Sequence, residues 1–192
     1  MDLVRSPLRV SHTPMLRLFV GIDLPPETKL ALSTIAAGLP GVKWVDPGNY
    51  HVTLRFIGEV DEAAAADIDA ELATIRARRF SLRIAGVDLF GTEDKPRILY
   101  AGVERAPALV DLRDKVGAAL GCAGVPPEGR VFTPHVTLAN IRAGRLADLG
   151  HYLEQHNLLR LPEIAVDRFQ LVQSYLTKAG SLYEAAADYP LI

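Results

Sequence analysis

The tetrapeptide His51-Val52-Thr53-Leu54 returns letter for letter as His135-Val136-Thr137-Leu138, and each copy lies in a stretch rich in strand-forming residues. With five histidines in 192 residues, chance supplies only about 0.2 His-x-Thr triplets, so two copies with matching apolar residues are no accident of composition. The repeat constrains the fold. In a strand the side chains alternate between faces, which puts His and Thr on one face and Val and Leu on the other. Each copy therefore asks for a strand with one face in a core and one on a cavity, and two copies ask for two like halves.

The flanking sequence fills in those halves. Leu16 to Asp23 alternates as a strand, and Pro25-Pro26-Glu27 opens an amphipathic helix running to Leu39. Val42 to Val45 and Tyr50 to Ile57 are predicted strands, with Asp46-Pro47-Gly48-Asn49 between them as the turn of a hairpin. Asp61 caps an alanine-rich helix to Arg78, and Phe80 to Leu89 pairs with Arg97 to Glu104 across a loop from Gly91 to Pro96. The second half repeats the plan with a helix from Pro107 to Leu120, a strand from Phe132 to Ile141 and a helix from Arg145 to His156. Strands over Glu163 to Leu176 and Ser181 to Tyr189 close the chain around Lys178-Ala179-Gly180. The fold class is α+β.

Composition bounds the function. A hydrophobic content of 49% favours a packed globule, and 21 Lys+Arg against 23 Asp+Glu leave no broad basic footprint for long duplex nucleic acid. Any nucleic-acid substrate is then gripped locally, at an end. Cys122 is the only cysteine, which excludes an intrachain disulfide and a Cys-built zinc site and suits a cytoplasmic location. No apolar run approaches the roughly 18 to 20 residues of a membrane span. Residues 1–14 have two arginines and no apolar core of the signal-peptide kind; they read as a disordered lead to the folded part over residues 15–192, whose length suits one larger domain or two small lobes sharing a core.

Two imidazoles and two hydroxyls brought to one point suit a phosphate. The hydroxyls of Thr53 and Thr137 donate to non-bridging oxygens, while His51 and His135 address the entering and leaving oxygens. Histidine fits because an ordinary pKa near 6.5 lets one ring be neutral and the other charged at working pH. Neither motif offers a carboxylate cluster or His-x₃-His spacing, so no metal and no cofactor is expected. The alternative for a single His-x-Thr is a solvent-facing pair, and its exact duplication is what argues for catalysis.

These residues resemble the 2H phosphoesterase superfamily, and within it the RNA 2′,3′-cyclic phosphodiesterases, also called 2′-5′ RNA ligases. The similarity runs from Leu16 to the C-terminus and includes Arg17-Leu-Phe-Val-Gly-Ile-Asp-Leu-Pro25, the block from Val42 to Gly58, Pro96 to Gly102, and Phe132 to Leu138. The resemblance implies a bilobal, pseudo-twofold fold whose antiparallel sheets line a central cleft, with helices outside. It implies metal-free hydrolysis of a terminal 2′,3′-cyclic phosphate on RNA or a nucleotide to a 2′-phosphate, with reversible 2′-5′ ligation as a second direction, by a monomer. By that analogy His51 is the general acid and His135 the general base, a polarity the residues alone leave open. The chain departs from the family pattern at Asn140, where an arginine is usual; Arg142 and Arg130 are the candidate replacements for its phosphate contact, and Asn140 itself can donate a neutral hydrogen bond.

Trp44, Tyr50 and Phe56 are the candidates for stacking on a terminal base. Trp44 has core packing as its alternative, and Phe56, at odd offset from His51, is expected to face away from the histidines unless the strand bends. Two rival functions remain: another 2H activity on small cyclic nucleotides or RNA ends, and a non-catalytic module that holds an RNA end. A binder gains little from histidine, which is mostly uncharged at pH 7, where lysine or arginine grips better.

Overall fold

The computed structural model describes residues 15–92, 94–142, 146–178 and 180–192, so the lead over residues 1–14 lies outside the described residues. In chain order the elements are β1 (Leu16–Asp23), α1 (Pro26–Ile35), β2 (Val42–Trp44), β3 (His51–Val60), α2 (Glu62–Ala73), β4 (Phe80–Leu82), β5 (Ile84–Thr92), β6 (Lys95–Val103), α3 (Pro107–Cys122), β7 (His135–Ile141), α4 (Leu149–His156), β8 (Ile164–Val166), β9 (Arg168–Leu176) and β10 (Ser181–Pro190). Strands β10-β9-β1-β3 form one half of an antiparallel sheet and β7-β6-β5, with β2 on the other edge of β7, form the second. The halves meet where Val52 stands opposite Val136, one residue into each motif. A two-stranded sheet of β4 and β8 completes the topology.

One face of the sheet carries the core. Val20, Val52 and Val136 are fully buried, joined by Leu32 of α1, Ile68 and Leu72 of α2, and Leu109, Leu112 and Val116 of α3. The helix starts follow from their sequence: Pro26 and Pro107 stand in the first turns of α1 and α3, and the Asp61 carboxylate accepts from the Ala64 amide at 2.8 Å. Both α1 and α2 stop short of the predicted Leu39 and Arg78. Gly38 takes a φ of +79° that no helix continues, and the Thr74 hydroxyl turns back to the Glu71 carbonyl at 2.7 Å. The start of the last predicted helix, at Arg145, lies outside the described residues.

The pairing differs from the sequence reading in two places. The run from Phe80 to Leu89 divides, so that Phe80–Leu82 pairs with β8, itself split from the predicted strand Glu163 to Leu176, and only β5 pairs with β6. β2 and β3 are not a hairpin: Val42, Lys43 and Trp44 pair with Ile141, Asn140 and Ala139 of β7. Asp46 to Asn49 do turn the chain, with the Asp46 carboxylate accepting from the Gly48 amide at 2.7 Å, but the turn delivers β2 to the other half of the sheet.

Both motifs end on a β-bulge. Gly21 pairs with Thr53 and Val20 with Arg55, so Leu54 is the extra residue; likewise Tyr100 pairs with Thr137 and Leu99 with Ala139, so Leu138 is extra. A bulge reverses the alternation beyond it. Arg55 and Ala139 therefore turn to the buried side, and Phe56 and Asn140 come round to the face of the histidines.

Candidate active site

The two motif histidines open their strands and are fixed in the same way. His51 Nδ1 donates to the Asn49 carbonyl and His135 Nδ1 to the Thr133 carbonyl, each at 2.7 Å. A carbonyl only accepts, so Nδ1 carries the proton and the neutral ring keeps its lone pair on Nε2. In the first motif the Thr53 hydroxyl donates to that nitrogen at 2.9 Å.

Register brings the four groups together. Running outward from Val52 and Val136 in antiparallel sense, His51 comes beside Thr137 and Thr53 beside His135. The histidines are then diagonal neighbours, for which a regular sheet sets about 7–8 Å between Cα atoms. The two side chains project from the same face of adjoining strands. The charge of His135 is felt at His51, where it disfavours protonation.

Each ring has two aromatic walls that single-sequence reading missed. Phe19 lies 4.7 Å and Tyr183 5.2 Å from His51, while Phe90 lies 4.8 Å and Tyr100 5.2 Å from His135, centroid to centroid. Their burial of the rings is the main reason both pKa values sit below the ordinary 6.5, against the opposing pull of the two carbonyl bonds. The halves differ in one neighbour. Asp23 is the β1 partner of His51 and favours its charged form, whereas the β6 partner of His135 is Gly102. Lys29, 2.7 Å from Asp23, offsets part of that pull.

The other sequence candidates separate. Thr53 and Thr137 are half-buried beside the rings, and Asn140 is exposed on the same face. Arg130, in the loop before β7, and Arg142, just past its end, are both exposed, and among the described residues neither makes an ion pair or side-chain hydrogen bond with the motif residues. Phe56 does not face away: it is 61% exposed, 6.0 Å from Phe19, because the Leu54 bulge turns it. Tyr50 cannot stack on a base, being 0% exposed, with burial and Asp46 raising its pKa to about 12. Trp44 is half-buried against the core and 6.1 Å from Tyr152.

A hollow of 170 Å³ adjoins His51, lined in part by Asp23, Lys29, Asn49, Gln170 and Tyr183, and one of 470 Å³ lies by the second motif, lined in part by Asp88, Tyr100, Arg105, Phe132 and Thr133. Among the described residues no group of three or more His, Cys, Asp or Glu side chains is placed to hold a metal. No helix there is long and apolar enough to cross a membrane.

The two-halves geometry has a counterpart in a family model described as "LigT like Phosphoesterase", which matches this chain twice, over residues 22–100 and 103–183, once around each motif. The chain belongs to the LigT-like phosphoesterase family. It is 39% identical over 158 residues to an RNA 2′,3′-cyclic phosphodiesterase of Aeropyrum pernix, covering 81% of this chain and 89% of that protein. A Thermotoga maritima protein of the same name is 33% identical over 176 residues, covering 88% and 92%. Among solved structures, TT0787 of Thermus thermophilus superposes with a TM-score of 0.75 at 26% identity, over 91% of this chain and 97% of that one. The 3′-AMP complex of Escherichia coli LigT gives 0.75 at 22% identity over 93% and 99%, a likeness of fold. This LigT-like chain thus has the α+β, pseudo-twofold architecture that its repeated tetrapeptide called for.

Proposed function

We propose that this chain is an RNA 2′,3′-cyclic phosphodiesterase, hydrolysing the cyclic phosphate at an RNA or nucleotide end to a 2′-phosphate with two histidines and no metal. The observation that carries the reading is the paired geometry: two imidazoles, each with Nδ1 tied to a carbonyl, on the same face of adjoining strands. The names of the relatives support the same substrate class.

The carboxylate of Asp23, beside His51 and without a counterpart on the β6 partner of His135, supports one assignment of the proton roles. Water attacks phosphorus opposite the ribose 3′ oxygen and loses its proton to His135, the ring with no carboxylate strand partner to favour its charged form. The P–O3′ bond breaks, and His51 protonates the leaving oxygen. Asp23 and the bound phosphate both favour the charged His51 this step needs. Thr53 and Thr137 donate to the non-bridging oxygens, with Asn140 as a further neutral donor; a 5′-hydroxyl in the place of water, attacking phosphorus and losing its proton to His135 while O3′ leaves with a proton from His51, would make a 2′-5′ linkage, and the reverse of that step would cleave one. Exposed Phe56 is the aromatic best placed to stack on the terminal base. A monomer acting in the cytoplasm fits the near-balanced charge and the single cysteine.

Phosphorus NMR of a nucleoside 2′,3′-cyclic phosphate incubated with the protein in EDTA tests the proposal. A 2′-phosphate product is expected. A 3′-phosphate, or binding without turnover as a non-catalytic RNA-end module would show, contradicts it.

A further inference from the structure

Asn49 stands where two distant parts of the chain are tied to His51. Its carbonyl accepts from His51 Nδ1 at 2.7 Å, and its side-chain amide donates to the Ser181 carbonyl, also at 2.7 Å. Ser181 opens β10 directly after the turn from β9. Two residues on, Tyr183 sets its ring edge-on to the imidazole, at 89° between planes and 5.2 Å between centroids. Among the described residues the second half has no such tie. Thr133 supplies the equivalent carbonyl to His135 but is exposed, and its hydroxyl has no hydrogen bond among the described residues.

We infer that Asn49 is a positioning residue for His51: its amide latches the β9–β10 hairpin so that Tyr183 walls the imidazole and keeps water from it. Besides the latch, the hairpin is held at this end by little more than the edge-to-face contact of Tyr183 with Phe19, 5.1 Å between centroids. Beyond the latch it pairs with β1 only from Gln170 to Gln173, and Tyr175, Leu176 and Leu182 near its tip are exposed. A hairpin end paired on one side only opens at low cost. Its release would move Tyr183 away from the ring while leaving the Asn49 carbonyl, a main-chain group, in place.

The charged and titratable groups facing His51 come from four elements: Asp23 from β1, Lys29 from α1, His135 from β7 and Tyr183 from β10. Asp23 and Lys29 hold each other at 2.7 Å, and Lys29 also reaches the Gly48 carbonyl at 2.9 Å, so both stay when the hairpin moves. Only Tyr183 and the desolvation it provides depend on the latch.

The inference deepens the reading of His51 as a proton donor, and its test is read without substrate so that the two stand or fall apart. The proton titration of the His51 ring is followed by NMR, with the resonance assigned from His51→Gln, in the full chain and in Asn49→Ala and Asn49→Thr; the second variant copies the residue of the other half. In both variants the His51 midpoint is expected to rise toward 6.5 while that of His135 holds. Proton affinity should increase about threefold or more as desolvation is lost. Amide exchange at Tyr175, Leu176 and Leu182 should quicken about tenfold, and kcat should fall about tenfold with KM little changed. An unchanged His51 midpoint, or unchanged exchange at those amides, in a folded variant overturns the inference. Wild-type protein that shows the latch but turns over no cyclic phosphate overturns the functional reading alone.

Discussion

Gly21 lies on β1 beside Thr53, and a Cβ there would stand 3.1 Å from the Val52 carbonyl oxygen, 3.3 Å from Phe19 Cε2 and 3.4 Å from His51 Cδ2. The tight contacts are the main-chain oxygen and the Phe19 ring, while the imidazole is at ordinary contact distance, so in Gly21→Ala β1 and Phe19 must shift from β3 by about 0.3 Å and carry the wall of His51 with them. Since misplacing a reacting group by about 1 Å costs on the order of 100-fold, an imidazole that follows its wall by that much loses at most roughly fourfold in kcat. Gly21→Val adds methyl groups that reach about 1.5 Å further, displaces the ring by about 1 Å and lowers kcat roughly 100-fold, with about 1–3 kcal/mol of stability lost to overpacking. Initial rates on a nucleoside 2′,3′-cyclic phosphate, beside thermal melts, measure both effects. Gly117 is the control: nothing lies within 4 Å of its would-be Cβ in α3, so Gly117→Ala should leave kcat alone and gain about 0.5–1 kcal/mol. A Gly21→Val protein with wild-type kcat would refute the claim that the close strand approach sets the His51 position.

Thr137→Val removes one donor to the phosphate and leaves proton transfer intact, so kcat/KM should fall roughly 10- to 100-fold in steady-state assays, and Thr53→Val, which also removes the hydroxyl bonded to His51 Nε2, should cost at least as much. Stability should decline in acid. Both His51 and His135 have folded pKa values below 6.5, so below that pH the unfolded chain binds more protons; the stabilisation is complete above 6.5 and is lost as pH falls through the folded values, visible as a drop in Tm that His51→Gln and His135→Gln flatten. Arg55 is buried, gives Nη1 to Glu128 at 3.1 Å and Nη2 to the Pro126 carbonyl, and so pins the loop leading to the second motif. Arg55→Leu should cost about 1–3 kcal/mol in urea unfolding, less than a fully buried pair because Glu128 is partly exposed.

The motif strands were legible because their chemistry and their period agree: histidine and threonine on one face, valine on the other. β5 and β6 pair as the two β-prone runs suggest, though the expected loop from Gly91 to Pro96 is itself part of the ladder, with Gly91 opposite Pro96. What failed was whatever depended on a partner far along the chain. Turn residues at Asp46 to Asn49 announce a change of direction and not a pairing, and the edge of β2 belongs to β7 and not to the β3 that follows it. Phe56 was assigned a face by counting residues, and the bulge at Leu54 breaks the count; its twin at Leu138 does the same for Asn140. Tyr50 has an aromatic ring of the right kind in the right neighbourhood, yet packing buries it completely. The aromatic walls of Phe19, Phe90, Tyr100 and Tyr183 belong to strands that become neighbours only on folding, as does the Asn49 latch to Ser181.

The central claim is that His51 and His135 exchange protons across one phosphorus, and the pH profile of kcat/KM on a nucleoside 2′,3′-cyclic phosphate in EDTA tests it most directly. A bell-shaped profile is predicted for the wild type, with His51→Ala and His135→Ala each losing about 10² to 10⁴ of the rate together with one limb of the bell. Turnover abolished by the chelator, or either variant retaining the wild-type rate and both limbs, would contradict the account.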